Sequence, residues 1–411
     1  MTKLSYSVTV SLRRWQMRQS LAFQKGIFMA TTIVYWISMY IYVPILSPYL
    51  NNKGYSLSFI GIVLGSYGLI QLLLRLPIGV LSDLFRKRKV FIGIGMVCAA
   101  TSCALFVLPD LWLWPLLGRA IAGICASTWV AFTILYASYF QEDETSKEMG
   151  QISVLTVCGQ MIGMVLAGWL TDLFNNQAPF IAGIFFALIG LLLAQLLYEP
   201  KTGFSREHGM SIRLIKEVIK SADLLKASYL SILAHCVLFI TMFGFTPLKA
   251  TELGASGSQL TLLVLAFMIP HAAAAIIGTT IFVSRYGYYG TIYIAFILSG
   301  ICTLALAITP NLNIMYATQA INGFAQGLHL PLFLTLAIQS IKPFAKATAM
   351  GLYQAIYALG MFAGPFIAGL MNKSFGVNSG FWLGSCFAFL AVISLAIWQQ
   401  YDKQQQKELQ L

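Results

Sequence analysis

Apolar residues in this chain come in long unbroken runs, with neither the alternation of a half-buried strand nor the stripe of a surface helix. Twelve runs lie near residues 27–50, 58–81, 90–109, 112–138, 150–171, 178–198, 229–250, 259–283, 289–308, 313–339, 347–371 and 377–399. As helices rising 1.5 Å per residue, each is long enough to cross a hydrocarbon core of about 30 Å. Continuous runs exclude a transmembrane barrel, whose strands alternate apolar and polar residues. The pattern therefore predicts an all-α membrane protein with 12 transmembrane helices. The first run is too long for a signal-peptide core, and its Pro44/Pro48 end offers no small-residue cleavage site. A polar stretch, 199–228, separates the sixth run from the seventh. It carries Pro200, Gly203 and Gly209, then Ile212, Leu214, Ile215, Val218 and Ile219 at the spacing of a short surface helix. The expected domains are an N-terminal tail 1–26, a six-helix bundle 27–198, a linker 199–228, a second six-helix bundle 229–399 and a C-terminal tail 400–411.

Composition agrees. Of 411 residues 58% are hydrophobic and 10% charged, too apolar for a water-soluble core. Cys98, Cys103, Cys125, Cys158, Cys236, Cys302 and Cys386 all fall inside apolar runs without metal-ligand spacing, so they read as small core hydrophobes, and no metal site is expected. A net charge of +12 could suggest nucleic acid, but the cations lie beside apolar runs. Of 26 Lys and Arg, Arg75 and Arg119 lie inside runs and Lys53, Lys249 and Lys373 on one side. The other 21 share the opposite side, which the positive-inside rule makes the cytoplasm. Both termini are expected there, in a plasma-membrane protein read as a monomer without a nucleic-acid partner.

The two halves repeat. Gly79 matches Gly278 at 199 residues, Arg119 and Gly123 match Gln319 and Gly323 at 200, and Gly159, Gly163 and Gly168 match Gly360, Gly364 and Gly369 at 201. Two parallel six-span repeats are a transporter architecture, with the substrate held between them near mid-membrane.

One loop carries a family signature. Gly79, Leu81, Asp83, Lys87 and Arg88 resemble the Gly-x-Leu-Ala-Asp-Arg-x-Gly-Arg-Lys loop of the major facilitator superfamily, with Leu84 in place of the usual Arg and Arg86 in place of Gly. Arg119 and Gly123 resemble that family's fourth-helix pattern. Gly159, Gly163 and Gly168 resemble the antiporter motif of its fifth helix, with Met164 where Pro is usual; the intact Gly-Pro stands in the repeat copy, Gly364 and Pro365. The motifs are most similar to those of bacterial drug or metabolite:proton antiporters. The resemblance covers residues 27 to 399. It implies a fold of two pseudo-symmetric bundles working by alternating access. It also implies that the loop of Gly79, Asp83, Arg86, Lys87 and Arg88 acts as a gate. The plainer reading of the loop is topology alone, four cations holding it inside.

A charge at mid-bilayer costs about 2.5–3.5 kcal/mol on insertion scales, so Arg119 and Arg75 should face a cavity or a partner. Arg119 is a candidate for coupling or substrate contact. Arg75 is a candidate for anion binding, with snorkelling to the nearby interface as the plain alternative. None of the 14 Asp and Glu lies mid-span, so a buried carboxylate proton carrier is not evident. His271 and His329 lie near mid-depth and His235 also lies within a span; imidazole titrates near neutral pH, so these are proton-carrier candidates, against ordinary helix-to-helix hydrogen bonding. Tyr35, Trp36, Tyr40, Trp129, Tyr136, Tyr353 and Tyr357, with Gln160, Gln319, Asn322 and Gln326, could build an amphipathic pocket; taken singly, each is equally explained by packing. Gly123, Gly159, Gly163, Gly168, Gly360, Gly364, Pro365 and Gly369 are read as close-packing positions, those of the fifth and eleventh spans at the contact between halves.

The leading expectation is a secondary transporter of a small molecule, a drug-like compound, metabolite or siderophore, whose export is driven by the proton gradient without a cofactor. Uptake of an anionic solute by proton symport and translocation of a lipid remain open beside it. No Gly-x-x-x-x-Gly-Lys-Ser/Thr loop marks a primary pump, and no paired carboxylates or nucleophile–His motif marks an enzyme.

Overall fold

The computed structural model describes residues 22–85, 87–140, 142–200, 212–342 and 345–408. Arg86 and the side chain of Asp83, both expected in the gating loop, lie outside what is described, as do most of the linker and the N-terminal tail. Among the described residues there is no strand, and twelve helical segments are long and apolar enough to cross a membrane. They are α1 (Ala22–Asn52), α2 (Leu57–Ser82), α3 (Arg88–Val107), α4 (Leu113–Ala137), α5 (Glu148–Leu173), α6 (Ala178–Leu196), α7 (Ala222–Glu252), α8 (Gly257–Ile277), α9 (Thr280–Ala307), α10 (Leu312–Gln339), α11 (Thr348–Phe375) and α12 (Asn378–Tyr401). The number of spans is the expected one.

Two boundaries differ from the hydropathy pattern for local reasons. α7 begins seven residues early because Ser221 caps it, accepting from the Leu224 N–H at 3.3 Å, with Asp223 in its first turn. Between α8 and α9 the backbone stays helical through a π turn, Gly278–Phe282, and breaks instead at Gly287, whose φ of 70° lies in the left-handed region open to glycine.

The sequence repeat is also a repeat of contacts. Gly54 (φ 81°) and Gly254 (φ 87°) end α1 and α7 with the same pair of bonds. The Gly54 and Gly254 N–H groups donate to Asn51 and Thr251, while Tyr55 and Ala255 donate to Leu50 and Ala250. Ser56 and Ser256 then cap α2 and α8. Inside the bundles Gly123 lies on α2 at Tyr67 and Gly323 on α8 at Phe267; Gly183 lies against Cys103 and Gly384 against Thr303. Equivalent residues thus meet equivalent partners, and the fold is two pseudo-symmetric six-helix bundles, α1–α6 and α7–α12.

α1 and α7 are the most enclosed spans, 67% and 78% buried, whereas α5 and α6 are 33% buried. The first pair therefore lies at the centre of the molecule and the second is the least enclosed. α1 begins and α12 ends on one face, called here the terminal face; the other is the far face.

Candidate functional site

Three helix pairs carry the main contacts between the halves, and those of α5–α8 and α1–α7 lie between the far face and mid-depth. At α2 and α11, Gly61 packs directly on Gly369 and the Pro365 carbonyl, and a Cβ on Gly65 would sit 2.8 Å from the Phe362 carbonyl oxygen. Only residues without side chains allow that approach. Deeper on the same pair, Gln71 Nε2 points at Met361 Sδ at 3.7 Å. At α5 and α8, Gly168 meets Gly257, and Asp172 closes the pair. Its carboxylate accepts from the Gly257 N–H (2.8 Å), the Ser258 N–H (2.7 Å) and the Ser258 hydroxyl (2.5 Å), capping α8 from the opposite half. At α1 and α7, Ser47 donates to the Gly244 carbonyl at 2.6 Å and the Tyr40 and Phe243 rings pack at 5.7 Å.

This sorts the glycines expected at the interface. Gly168 and Gly369 do meet the opposite half. Gly159 and Gly163 instead lie on α1 at Ile33 and Ile37, and Gly360 and Gly364 on α7 at Ile232 and Cys236, within their own bundles. The small-residue stripe of α5 and α11 thus serves two partners, its middle binding the bundle together and its far end meeting the other half.

Two arginines are buried within the membrane-spanning region, Arg75 at the α2–α11 contact and Arg119 inside the N-terminal half. Arg119, 3% exposed on α4, lies 4.2 Å from the Tyr67 ring and 5.8 Å from the Tyr42 ring, and donates to the Tyr42 hydroxyl at 3.4 Å. Arg75, 5% exposed on α2, donates to Gln71 Oε1 at 3.0 Å and faces the Tyr357 ring of α11 at 5.9 Å. The Nε of each has no partner, and neither meets a carboxylate among the described residues. Arg75 does not snorkel; it points across the interface. A cation over an aromatic ring gains about 0.5–2 kcal/mol, so the tyrosines offset part of the burial cost and leave the positive charge unbalanced.

Rings close the site. Trp36 packs on Tyr35, Tyr40 and Trp129 at 5.4, 5.6 and 5.0 Å, and its Nε1 has no acceptor. On the other half, His235 stacks on Tyr357 at 4.2 Å with 6° between the planes, its Nδ1 held by Ser231. Arg75, Tyr357 and His235 thereby form one line from half to half.

The remaining candidates are placed otherwise. Tyr35 donates to the Cys125 carbonyl, and Tyr353 shares a hydrogen bond with Ser231 at 2.9 Å; both tie spans of one half together. Tyr136 donates to Glu148, which also pairs with Lys25. Gln160 is half-buried on α5, and half-buried His271 stacks on Phe267 with its Nδ1 unpartnered. Gln319 is fully buried with neither amide atom paired. Asn322, Gln326 and His329 join Ser299 of α9 inside the C-terminal half.

In the basic loop, Gly79 lies beside Val130 of α4. The Arg88 and Lys89 N–H groups donate to the Glu199 carboxylate, and Lys89 Nζ donates to the Gln195 carbonyl, while Lys87 is exposed. These contacts all lie within the N-terminal half. Sequence reasoning missed Tyr42, Tyr67, Gln71 and Asp172. Gln71 had a signal, standing four residues before Arg75 on one helix face; the two tyrosines had none, because facing Arg119 is a matter of helix rotation.

Twelve spans in two repeats, closed at one face around a buried polar centre, define a secondary transporter working by alternating access. The chain belongs to the Major Facilitator Superfamily, whose profile it matches over residues 28–250 and 230–410. It is similar to the inner membrane transport protein YajR of Escherichia coli K12, at 25% identity over 88% of this chain and 79% of that one. It is 25% identical to the proton-coupled antiporter flippase LtaA of Staphylococcus aureus over 75% of this chain and 76% of that one. The crystal structure of the nucleoside transporter NupG superposes with a TM-score of 0.75 at 14% identity, covering 91% of this chain and 98% of that one, a likeness of fold.

Proposed function

We propose that the chain is a proton-coupled transporter of small organic anions, and that it works as an exporter. The observation that carries the reading is the pair of buried arginines, Arg75 facing Tyr357 of the other half and Arg119 against Tyr67 and Tyr42 of its own, with no carboxylate paired to either among the described residues. A cationic drug would be repelled there. A carboxylate or phosphate would fill the vacant Nε donors, and its ring or chain would lie on Trp36, Tyr40 and Tyr357. Acidic metabolites, drug-like acids and siderophores all carry such groups. Proton coupling rests on the intramembrane histidines and on the similarity to the proton-coupled antiporter LtaA; outward direction rests on the fifth-span glycine pattern. The terminal face, with its excess of Lys and Arg, is the cytoplasmic one. Contacts of α5–α8 and α1–α7 concentrated toward the far face then favour the inward-facing state. A lipid phosphate would suit the same arginines, so lysophospholipids belong in the test.

The test is thermal unfolding of the purified protein against a panel of aromatic carboxylates, organophosphates, siderophores and lysophospholipids, each beside a neutral and a cationic analogue. A ligand at 100 times its Kd stabilises the folded state by about 2.7 kcal/mol. Anions should stabilise the wild type and lose that effect in Arg119→Gln and Arg75→Gln. Stabilisation by cations alone, or equal stabilisation of both variants, would overturn the reading.

A further inference from the structure

Ser299, Asn322, Gln326 and His329 form a hydrogen-bonded chain at the α9–α10 contact, and all its bonds run one way. His329 Nδ1 pairs with Gln326 Oε1 at 3.2 Å, an oxygen that can only accept, so the imidazole donates there. Gln326 Nε2 donates to Ser299 Oγ at 2.9 Å, and Ser299 Oγ donates to Asn322 Oδ1 at 2.9 Å. The chain therefore begins at a free acceptor, His329 Nε2, and ends at a free donor, Asn322 Nδ2; both atoms are buried without partners. Every dipole in it turns its negative end toward His329.

The opposite half supplies an internal control. Two hundred residues earlier, the positions of Ser299, Asn322 and Gln326 hold Ala99, Ala122 and Ala126, and that of His329 holds Trp129. The offset is the one at which Gly123 and Gly323, and the contact residues Cys103 and Thr303, repeat. The three alanines are buried to 2% exposure or less. The fold thus packs this contact with plain alanine, and its polarity in the C-terminal half is not demanded by structure. Buried polar atoms left unpaired are costly, so the chain has another use.

We propose that His329 is the proton-binding site of the C-terminal half, and that the aligned chain of Gln326, Ser299 and Asn322 stabilises its imidazolium in place of a carboxylate. The proton enters at Nε2, where the free lone pair takes it from water; Nδ1–H keeps its bond to Gln326, and the imidazolium returns the same proton to water on release. No other bond is made or broken. The groups facing His329 are Phe296 of α9 at 4.3 Å, Phe333 of α10 at 5.3 Å, and the neighbouring imidazoles His235 of α7 and His271 of α8, within electrostatic reach. The Phe333 ring stacks on the imidazole at 9° between the planes, and the Phe296 ring is tilted against it. The inference deepens the proton coupling proposed above and rests on it, but its test needs no substrate.

The experiment is nitrogen NMR of histidine-labelled protein in lipid nanodiscs across pH, with the His329 signal assigned by its loss in His329→Gln. His329 should gain a proton as the pH is lowered through the scan. Ser299→Ala copies the packing already used at Ala99 and cuts the chain; it should move the His329 titration down by about one unit, a tenfold loss of proton affinity. A His329 that stays neutral throughout, or an unchanged titration in Ser299→Ala, would overturn the proposal. Neither result would bear on anion binding at Arg75 and Arg119, which unfolding against the panel reads separately.

Discussion

Arg119 is held by the faces of Tyr67 and Tyr42 and by one long hydrogen bond, so its guanidinium is positioned as a flat surface with a free edge. Lysine carries the same charge without the plane or the fork of donors. Arg119→Lys should therefore retain the preference for anions while losing about tenfold in affinity, and Arg119→Gln should lose the preference, both read by titrating whichever panel anion stabilises the wild type. Asp172 belongs to this scale too. Its three hydrogen bonds to α8 exist only while the far face is shut, and bonds to a charged acceptor are worth about 1.5–3 kcal/mol each before solvent competes. Asp172→Asn should shift the population toward far-face opening. Alkylation of a cysteine introduced at Ser47, 1% exposed at the α1–α7 contact, should become at least several-fold faster in the Asp172→Asn background than in the wild-type background; equal rates would show that the carboxylate does not latch the face. The sequence announced both arginines, because a cation in an apolar run needs an explanation. It was silent about Asp172, whose partners come from 85 residues away, and about the tyrosines, whose facing depends on rotation within a degenerate apolar helix.

At the level of the helix, spans were legible because hydropathy alone creates them, while what each face touches was not. The stripe of Gly159, Gly163 and Gly168 reads as one motif along the chain, yet α1 takes its first two members and α8 its third. Likewise Gly61, Gly65 and Gly68 of α2 escaped notice beside the basic loop, although they let α2 and α11 meet backbone to backbone. A bulky residue there has nowhere to go: Gly65→Val should hold α2 and α11 apart at the far face. The expected outcome is a protein that inserts and unfolds at nearly the wild-type temperature but transports at under a tenth of the wild-type rate, since each bundle is packed by its own contacts. A comparable loss of folded protein would mean instead that the crossing stabilises the fold itself. The basic loop gained a narrower meaning. Its described residues bind Glu199, Gln195 and α4 of their own half.

For the whole molecule, the offset of about 200 residues was the most informative feature of the sequence, because it carried both the architecture and a control for every asymmetry. The halves share hairpins, caps and glycine contacts, and they differ where chemistry is expected. Arg119 stands opposite Gln319, and the polar chain ending at His329 stands opposite three alanines and Trp129. In the proposed function the N-terminal half carries the fixed positive charge and the C-terminal half the titratable one, with Tyr357 and His235 of that half facing Arg75. Transport follows if an anion neutralises the first while a proton loads the second, each favouring a different face, since a ligand moves a two-state equilibrium only by its differential affinity. The measurement that bears most directly on this account is transport into proteoliposomes of the anion that best stabilises the protein, driven by an imposed pH difference. Accumulation should follow the gradient, with anion and proton moving in opposite directions, and should collapse in Arg119→Gln. Accumulation indifferent to the gradient, or untouched by loss of Arg119, would contradict it.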